Sequence, residues 1–244
     1  MEELVEGRNA VLEALRSGAR LREVRIARGL KPDPAIDEIR SLARRANVRV
    51  KEMDRRALDQ ASARGAHQGV MAVAESFVYT QLEDIVATGA AAPRSLVIVL
   101  DHVTDPGNLG AVARSAEAAG ATGLVIPSQR AATVTAVARK TAAGALEHLP
   151  VARVPNVVRA LEAFKHAGFW TAGASEHAEE SAFEARLDDR LVLVMGSEGE
   201  GLSRLVRENC DFLVRIPIVG HVGSLNVAQA ATVLAFEWAR RAGP

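Results

Sequence analysis

The residues in this sequence that could do chemistry sit where apolar strands give way to loops of Gly, Ser and Asn. In FLVRIPIVGHVGSLNVAQAATVLAFEWARR, Phe212–Arg241, an apolar strand carrying Ile216, Pro217 and Ile218 enters a turn with Gly220, His221, Gly223, Ser224 and Asn226, then a long Ala-rich helix. A strand that stops in such a loop and restarts as a helix leaves unpaired backbone N–H and C=O groups facing a cleft, where a polar small molecule can pair with them. Pro217 removes a ladder donor, which argues against a central, fully paired strand position. Gly and Asn are also the default turn residues, so an ordinary strand-to-helix turn would read the same way.

Two further stretches share this form. LVLVMGSEGEGLS ends an apolar strand at Met195 and follows it with Gly196, Ser197, Glu198, Gly199, Glu200 and Gly201, before a helix expected near Ser203. Glycines at this density let the main chain approach a ligand closely and take positive φ. The G-x-x-x-x-G-K-S/T spacing of a phosphate cradle is missing, and two glutamates repel phosphate while suiting a cationic or ribose-bearing ligand. Glu198 could equally cap the helix that follows. In HVTDPGNLGAVARSAEAAGATGLVIP, Asp105, Pro106, Gly107 and Asn108 read as a turn, with Asn108 at or near the cap of a helix from Leu109 to Ala119 and Arg114 on its second turn. Both side chains could reach one polyanionic substrate. A plain N-cap and a surface arginine are the alternative.

The elements that must position these loops follow from composition and periodicity. The 244 residues are 48% hydrophobic and only 4% aromatic, so the core is built of Val, Leu, Ile and Ala, as suits helices packed on a parallel sheet. Residues 1–75 read as a compact α/β unit: a helix in Gly7–Arg16, a strand in LREVRIA, a helix from Asp33 to Ala46, a strand in VRVKEM, a short helix in DRRALDQAS and a strand in HQGVMAVAE. This unit shows no acid, base or nucleophile cluster and reads as a recognition module. Residues 76–94, with the small-residue stretch TGAAAPR, read as a linker. From residue 95 to 244 apolar strands alternate with helices: SLVIVLD, GLVIP, HLPVARV, FWTAGAS and LVLVM are the strands, and Thr133–Gly144 and NVVRALEAFKHAG two of the helices. EHAEESAFEARLDD reads as an acidic, solvated connection, and Trp170 as a packing residue.

Several function classes are disfavoured. No apolar run reaches membrane-spanning length and MEELVEGRN is charged where a signal peptide would be apolar, so a cytosolic protein is expected. The single cysteine, Cys210, has no partner for a disulfide and no neighbours at metal-ligand spacing, so it reads as a small buried residue. Net charge is zero, but residues 1–75 carry 15 Lys and Arg against 12 Asp and Glu, which marks the front as the part that would meet a phosphate backbone.

Taken together and in order, DPGNLGAVAR, MGSEGEGLS and IPIVGHVGSLNVAQA resemble the three motifs of the SpoU (TrmH-like) branch of the SPOUT RNA 2'-O-ribose methyltransferases, while EGRNAVLEAL and HQGV are similar to the start and end of that family's small RNA-recognition domain. The resemblance covers nearly the whole chain. It implies a C-terminal α/β domain with a deep trefoil knot that binds S-adenosylmethionine and pairs as a homodimer, with a guanosine of 23S rRNA as the expected target and neither DNA nor membrane as a partner. Main-chain groups would hold the cofactor at Gly196, Ile216 and Leu225, in a pocket shaped by Gly199, Gly201 and Ser224. The family's functional side chains fall on Asn108, Arg114, Glu198, Ser224 and Asn226. Alternatives within the same chemistry are a tRNA enzyme and a resistance-type ribosomal RNA methyltransferase. From another class comes a catalytically silent RNA-binding or nucleotide-binding protein, disfavoured because no G-x-G-x-x-G follows a strand near the front.

Overall fold

A computed structural model describes residues 3–16, 18–62, 65–187 and 189–241. The chain divides into two compact units between Val78 and Tyr79. In the first, β1 (Glu3–Glu6), α1 (Arg8–Arg16), β2 (Leu21–Ala27), α2 (Pro34–Arg45), β3 (Arg49–Met53), α3 (Arg55–Ala61) and β4 (Val70–Ala74) follow one another. The strands form one sheet in the order β1-β4-β2-β3, with β4 antiparallel to both its neighbours and β2 parallel to β3. Val11, Leu15, Ile36 and Ile39 from α1 and α2 close over Val24, Ile26, Val70 and Ala72. Asp33 caps α2 by accepting from Ala35 N at 2.8 Å, and Pro34 starts the helix where no donor is needed. Sequence reading missed β1, because ELVE is short and half charged and becomes a strand by pairing with β4.

The second unit begins with α4 (Leu82–Ala91), then runs β5 (Ser95–Leu100), α5 (Pro106–Ala118), β6 (Gly123–Pro127), α6 (Ala136–Ala142), β7 (Val151–Val154), α7 (Val157–His166), β8 (Trp170–Ala174), β9 (Arg190–Met195), α8 (Arg204–Glu208), β10 (Phe212–Val214) and α9 (Val227–Arg240). Its six strands are all parallel, in the order β10-β8-β9-β5-β6-β7. Every residue of β5 and β6 is buried, as uninterrupted apolar runs in a sheet covered on both faces require. Strand order reverses between β5 and β9, since the chain leaves β5 toward β6 and later returns to β5's other side. Such a switch opens a crevice beyond the carboxyl ends of the strands. No helix among the described residues is long and apolar enough to cross a membrane.

Four sequence expectations need correction. The stretch 76–94 is not structureless, because α4 buries Ile85 and Gly89; a Cβ at Gly89 would stand 2.7 Å from the Phe169 ring. The strand expected through Ile218 ends at Val214, and Ile216, Pro217 and Ile218 lie in the loop beyond it, after an edge strand. Trp170 is 53% exposed at the start of β8, so it is not a packing residue.

Nor is the acidic connection simply solvated: Ala178, Ala182, Ala185 and Leu187 are buried, while Asp188 lies outside the described residues. Arg241 explains this, because its guanidinium donates to the carbonyls of Ala182, Phe183 and Ala185, and its Nε reaches Glu237 Oε1 at 2.8 Å. Glu237 is 8% exposed and also accepts from Arg240. The bonds from Arg240 outweigh burial, Arg241 adds to them, and the carboxyl is held down at about 2 instead of 4.5. An unfolded chain therefore takes up this proton before the folded one does. The stabilisation is complete above the ordinary carboxylate range and disappears as pH falls through about 2. The melting-temperature gap between wild type and Glu237→Gln should be widest near neutrality and shrink steadily on acidification below pH about 5. A gap independent of pH would refute the assignment.

Candidate functional site

The carboxyl ends of β8, β9 and β10 and the N-terminal half of α9 enclose a cleft of about 210 Å³. Its walls include Gly196, Glu198, Gly199 and Gly201 after β9, and Ile216, Ser224 and Leu225 after β10, which are the positions expected to hold or shape a cofactor site together with Glu198. The turn after β9 closes on itself through Ser197 N to Gly201 O and Gly201 N to Ser197 O, both at 3.0 Å. Gly199 and Gly201 take positive φ, +89° and +66°. Gly196 is excluded from bearing a side chain for another reason, since a Cβ there would lie 2.1 Å from Gly201 C and 2.4 Å from Leu202 N. Main chain therefore packs against main chain at the floor of the loop.

Three side chains join the three loops. Asn108 Nδ2 donates to Glu198 Oε1 at 3.0 Å, and Asn226 Nδ2 donates to Asn108 Oδ1 at 3.0 Å and to Glu198 Oε1 as well. Asn226 is held for this by serving as N-cap of α9, with Oδ1 accepting from Ala228 N at 2.9 Å. Asn108 is not a cap. Helix α5 starts earlier than expected, at Pro106, and Asp105 caps it by accepting from Gly107 N and Asn108 N at 3.1 Å each. This leaves the Asn108 side chain free to cross to Glu198. Nor does Glu198 cap the next helix: α8 has no side-chain cap hydrogen bond, and the N–H of its N-cap residue Ser203 donates to buried Asp101, just after β5, at 2.7 Å.

Arg114 stands apart. It is exposed on α5, is not among the residues around the cleft, and makes no hydrogen bond or ion pair with the described residues. It follows Asn108 by six positions, roughly 9 Å along the helix and about 120° around it, so one chain does not aim both side chains at the same point. The chain thus gathers Asn108, Glu198 and Asn226 in one hydrogen-bonded cluster beside the cleft, with Ser224 on its wall, and leaves Arg114 outside.

Sequence reading missed Ser175, Glu176 and His177 after β8, and Arg207 on α8, all of which line the cleft. The small-residue run TAGAS was a signal for the first group; nothing near Arg207 was. Glu176, Glu198 and Glu200 give the walls an acidic balance against Arg207, suited to a ligand carrying positive charge together with a carboxylate. Cys210 stays apart from this chemistry, because burial pushes its thiol up to about 12 and Sγ–H donates to Val206 O at 3.3 Å.

Comparison with known proteins matches this architecture. The model of the SpoU rRNA Methylase family matches residues 95–236, and that described as RNA 2'-O ribose methyltransferase substrate binding matches residues 4–80. The chain is 43% identical over 241 residues to the 23S rRNA (guanosine-2'-O-)-methyltransferase RlmB of Xanthomonas campestris, covering 97% of this chain and 96% of that protein. Its fold is similar to the crystal structure of the SpoU methyltransferase AviRb from Streptomyces viridochromogenes in complex with AdoMet, with TM-score 0.63, 31% identity, and coverage of 99% of this chain and 90% of that one. The TrmH/SpoU tRNA modifying enzyme of A. aeolicus, at TM-score 0.56 and 25% identity, covers 66% of this chain and 81% of its own. Family membership extends from the parallel sheet to the small unit before it, and on these grounds the chain belongs to the SpoU rRNA methylase family.

Proposed function

We propose that this protein is an S-adenosylmethionine-dependent methyltransferase acting on the ribose 2'-hydroxyl of a guanosine in 23S rRNA. The observation that carries this reading is the meeting of three loops, tied by Asn108, Glu198 and Asn226, beside a cleft whose floor is bare main chain at Gly196. RlmB of Xanthomonas campestris, similar along nearly its whole length, supports the substrate. The tRNA modifying enzyme of A. aeolicus, which covers about two thirds of this chain, supports a tRNA substrate less well.

The residues fit the cofactor. Main-chain groups at Gly196, Ile216 and Leu225 would hold it in a pocket shaped by Gly199, Gly201 and Ser224, and the carboxylates around the cleft suit its sulfonium and ammonium. When bound, it supplies a methyl group already activated by positive charge. What remains for the chain is to bring a poorly nucleophilic hydroxyl into line and help it lose a proton. Asn108, Ser224 and Asn226 orient the ribose and the loops, and Glu198 holds them together. Arg114 clamps the neighbouring phosphate, which can share the departing proton, since a guanidinium is a poor base. A homodimer formed through the C-terminal domain, which carries the trefoil knot, would deliver Arg114 of one chain to the cleft of its partner and so account for its distance from Asn108. The front unit, residues 1–75, selects the RNA, and the protein works in the cytosol.

Calorimetric titration should show saturable binding of S-adenosylmethionine and none of NAD. Ribose-methylation mapping of total RNA from a deletion strain should reveal one guanosine of 23S rRNA that loses its methyl group and regains it on incubation with protein and cofactor. Loss at a tRNA site instead would overturn the substrate; no loss anywhere would overturn the reaction.

A further inference from the structure

Two motifs at the ends of the first unit form a single surface. Gly7 N donates to Val70 O at 3.1 Å and Arg8 Nε to Gln68 O at 3.2 Å, so EGRN and HQGV, sixty residues apart, lie side by side. They occupy the edge toward which β1, β2 and β3 all run and from which β4 starts. Gln68 is exposed there with φ +50°, a left-handed backbone that suits few side chains.

The support beneath Gln68 is buried. His67, 3% exposed, accepts from Gly69 N through Nδ1 at 3.0 Å, which places its proton on Nε2 and makes that nitrogen the donor to Asp59 Oδ1 at 2.7 Å. Gly69 takes φ +81°, and a Cβ there would stand 2.8 Å from Leu30 Cδ2. Backbone on both sides of Gln68 is thereby fixed. Its own side-chain amide makes no hydrogen bond among the described residues. This arrangement holds a buried histidine, anchored to the exposed carboxylate of Asp59, under an exposed amide that points outward.

Charge on the same edge points to the ligand. Arg28, Lys31, Arg55 and Arg56 follow the ends of β2 and β3, are exposed, and have no ion pair among the described residues. Of the acids nearby, Asp33 is paired with Arg8, while Asp59 and Glu6 accept from neutral partners, His67 and Ser62 Oγ, and keep their charge with Asp54, so the four cations exceed them by one. An amide that both donates and accepts, framed by unmatched cations, suits an unpaired nucleotide whose base edge is open and whose flanking phosphates need countercharge.

We infer that this edge binds single-stranded or loop RNA, with Gln68 hydrogen-bonding one unpaired base, the four cations on adjacent phosphates, and His67 as the positioning residue for Gln68. The inference rests on the chain being an RNA methyltransferase.

The test uses full-length protein and an unmodified transcript of 23S rRNA. Gln68→Ala should raise KM for RNA about tenfold, with kcat at saturating RNA and S-adenosylmethionine affinity unchanged. His67→Ala should have the same KM effect; His67→Asn, which keeps an acceptor near Gly69 N, should recover part of it. Arg55→Ala with Arg56→Ala should lower the slope of log Kd against log salt by about one to two. Unchanged KM in Gln68→Ala together with an unchanged salt slope would overturn the inference, including the case in which the edge binds a protein instead. Failure of the wild-type chain to methylate any RNA would be a different result, against the underlying reading.

Discussion

Arg114→Lys should lower single-turnover methylation at saturating RNA by about a hundredfold while leaving S-adenosylmethionine affinity untouched. Lysine keeps the charge and most of the length but loses the planar fork that grips a phosphate through two bonds. If charge alone sufficed, the lysine variant would turn over normally and the clamp would be disproved. Cofactor affinity should not move, because Arg114 is not among the residues around its own chain's cleft and its assigned contact is the RNA phosphate.

The placement of Arg114 allows a sharper version. Arg114→Ala disables the arginine and keeps the cleft; Gly196→Val disables the cleft and keeps the arginine. If the arginine acts on its partner's cleft, a one-to-one mixture that has exchanged subunits should regain about a quarter of wild-type activity, since half the dimers are mixed and each has one complete site. If the arginine serves its own chain's cleft, the mixture stays inactive.

The parts of the fold visible in the sequence are those whose signal is local. SLVIVL reads as a strand covered on both faces and LVLVM as an apolar strand, and both are buried strands. LREVRIA matches β2 residue for residue. What stayed hidden depends on contacts made far along the chain. β1 exists because β4 lies beside it, and α4 is held by β5 and by Phe169. The acidic stretch after β8 is covered because Arg241, some sixty residues on, takes its carbonyls.

The candidate site divides in the same way. The glycines of GSEGEG announced a close backbone approach, which Gly196 makes, and positive φ, which Gly199 and Gly201 take, and Asn226 announced a helix start. Asn108 was visible as a polar residue in a turn, but its actual role depends on Asp105 taking over the cap, which cannot be read without knowing where α5 begins. Arg207 and His177 reach the cleft only through the order of the sheet, a property no window of sequence contains.

Gly196→Ala should abolish measurable S-adenosylmethionine binding, raising Kd by more than about a hundredfold, although it adds a single methyl group. All three nearest atoms to that methyl are main chain, Gly201 C at 2.1 Å, Gly201 O at 2.4 Å and Leu202 N at 2.4 Å, so no rotamer change relieves the clash. The loop must open, which breaks the paired bonds between Ser197 and Gly201 and moves Glu198 away from Asn108 and Asn226. Gly199→Ala provides the contrast. There the added methyl meets nothing within 4 Å, and the cost is only that of holding a side chain at φ +89°. Its Kd should rise no more than about tenfold. RNA affinity, assigned to the front unit, should be unchanged in both variants, and far-UV circular dichroism should match wild type. Equal effects of the two substitutions would mean that loop strain, not the contact at Gly196, governs the pocket. Parallel loss of RNA affinity would mean that the two units do not divide the work between cofactor and substrate.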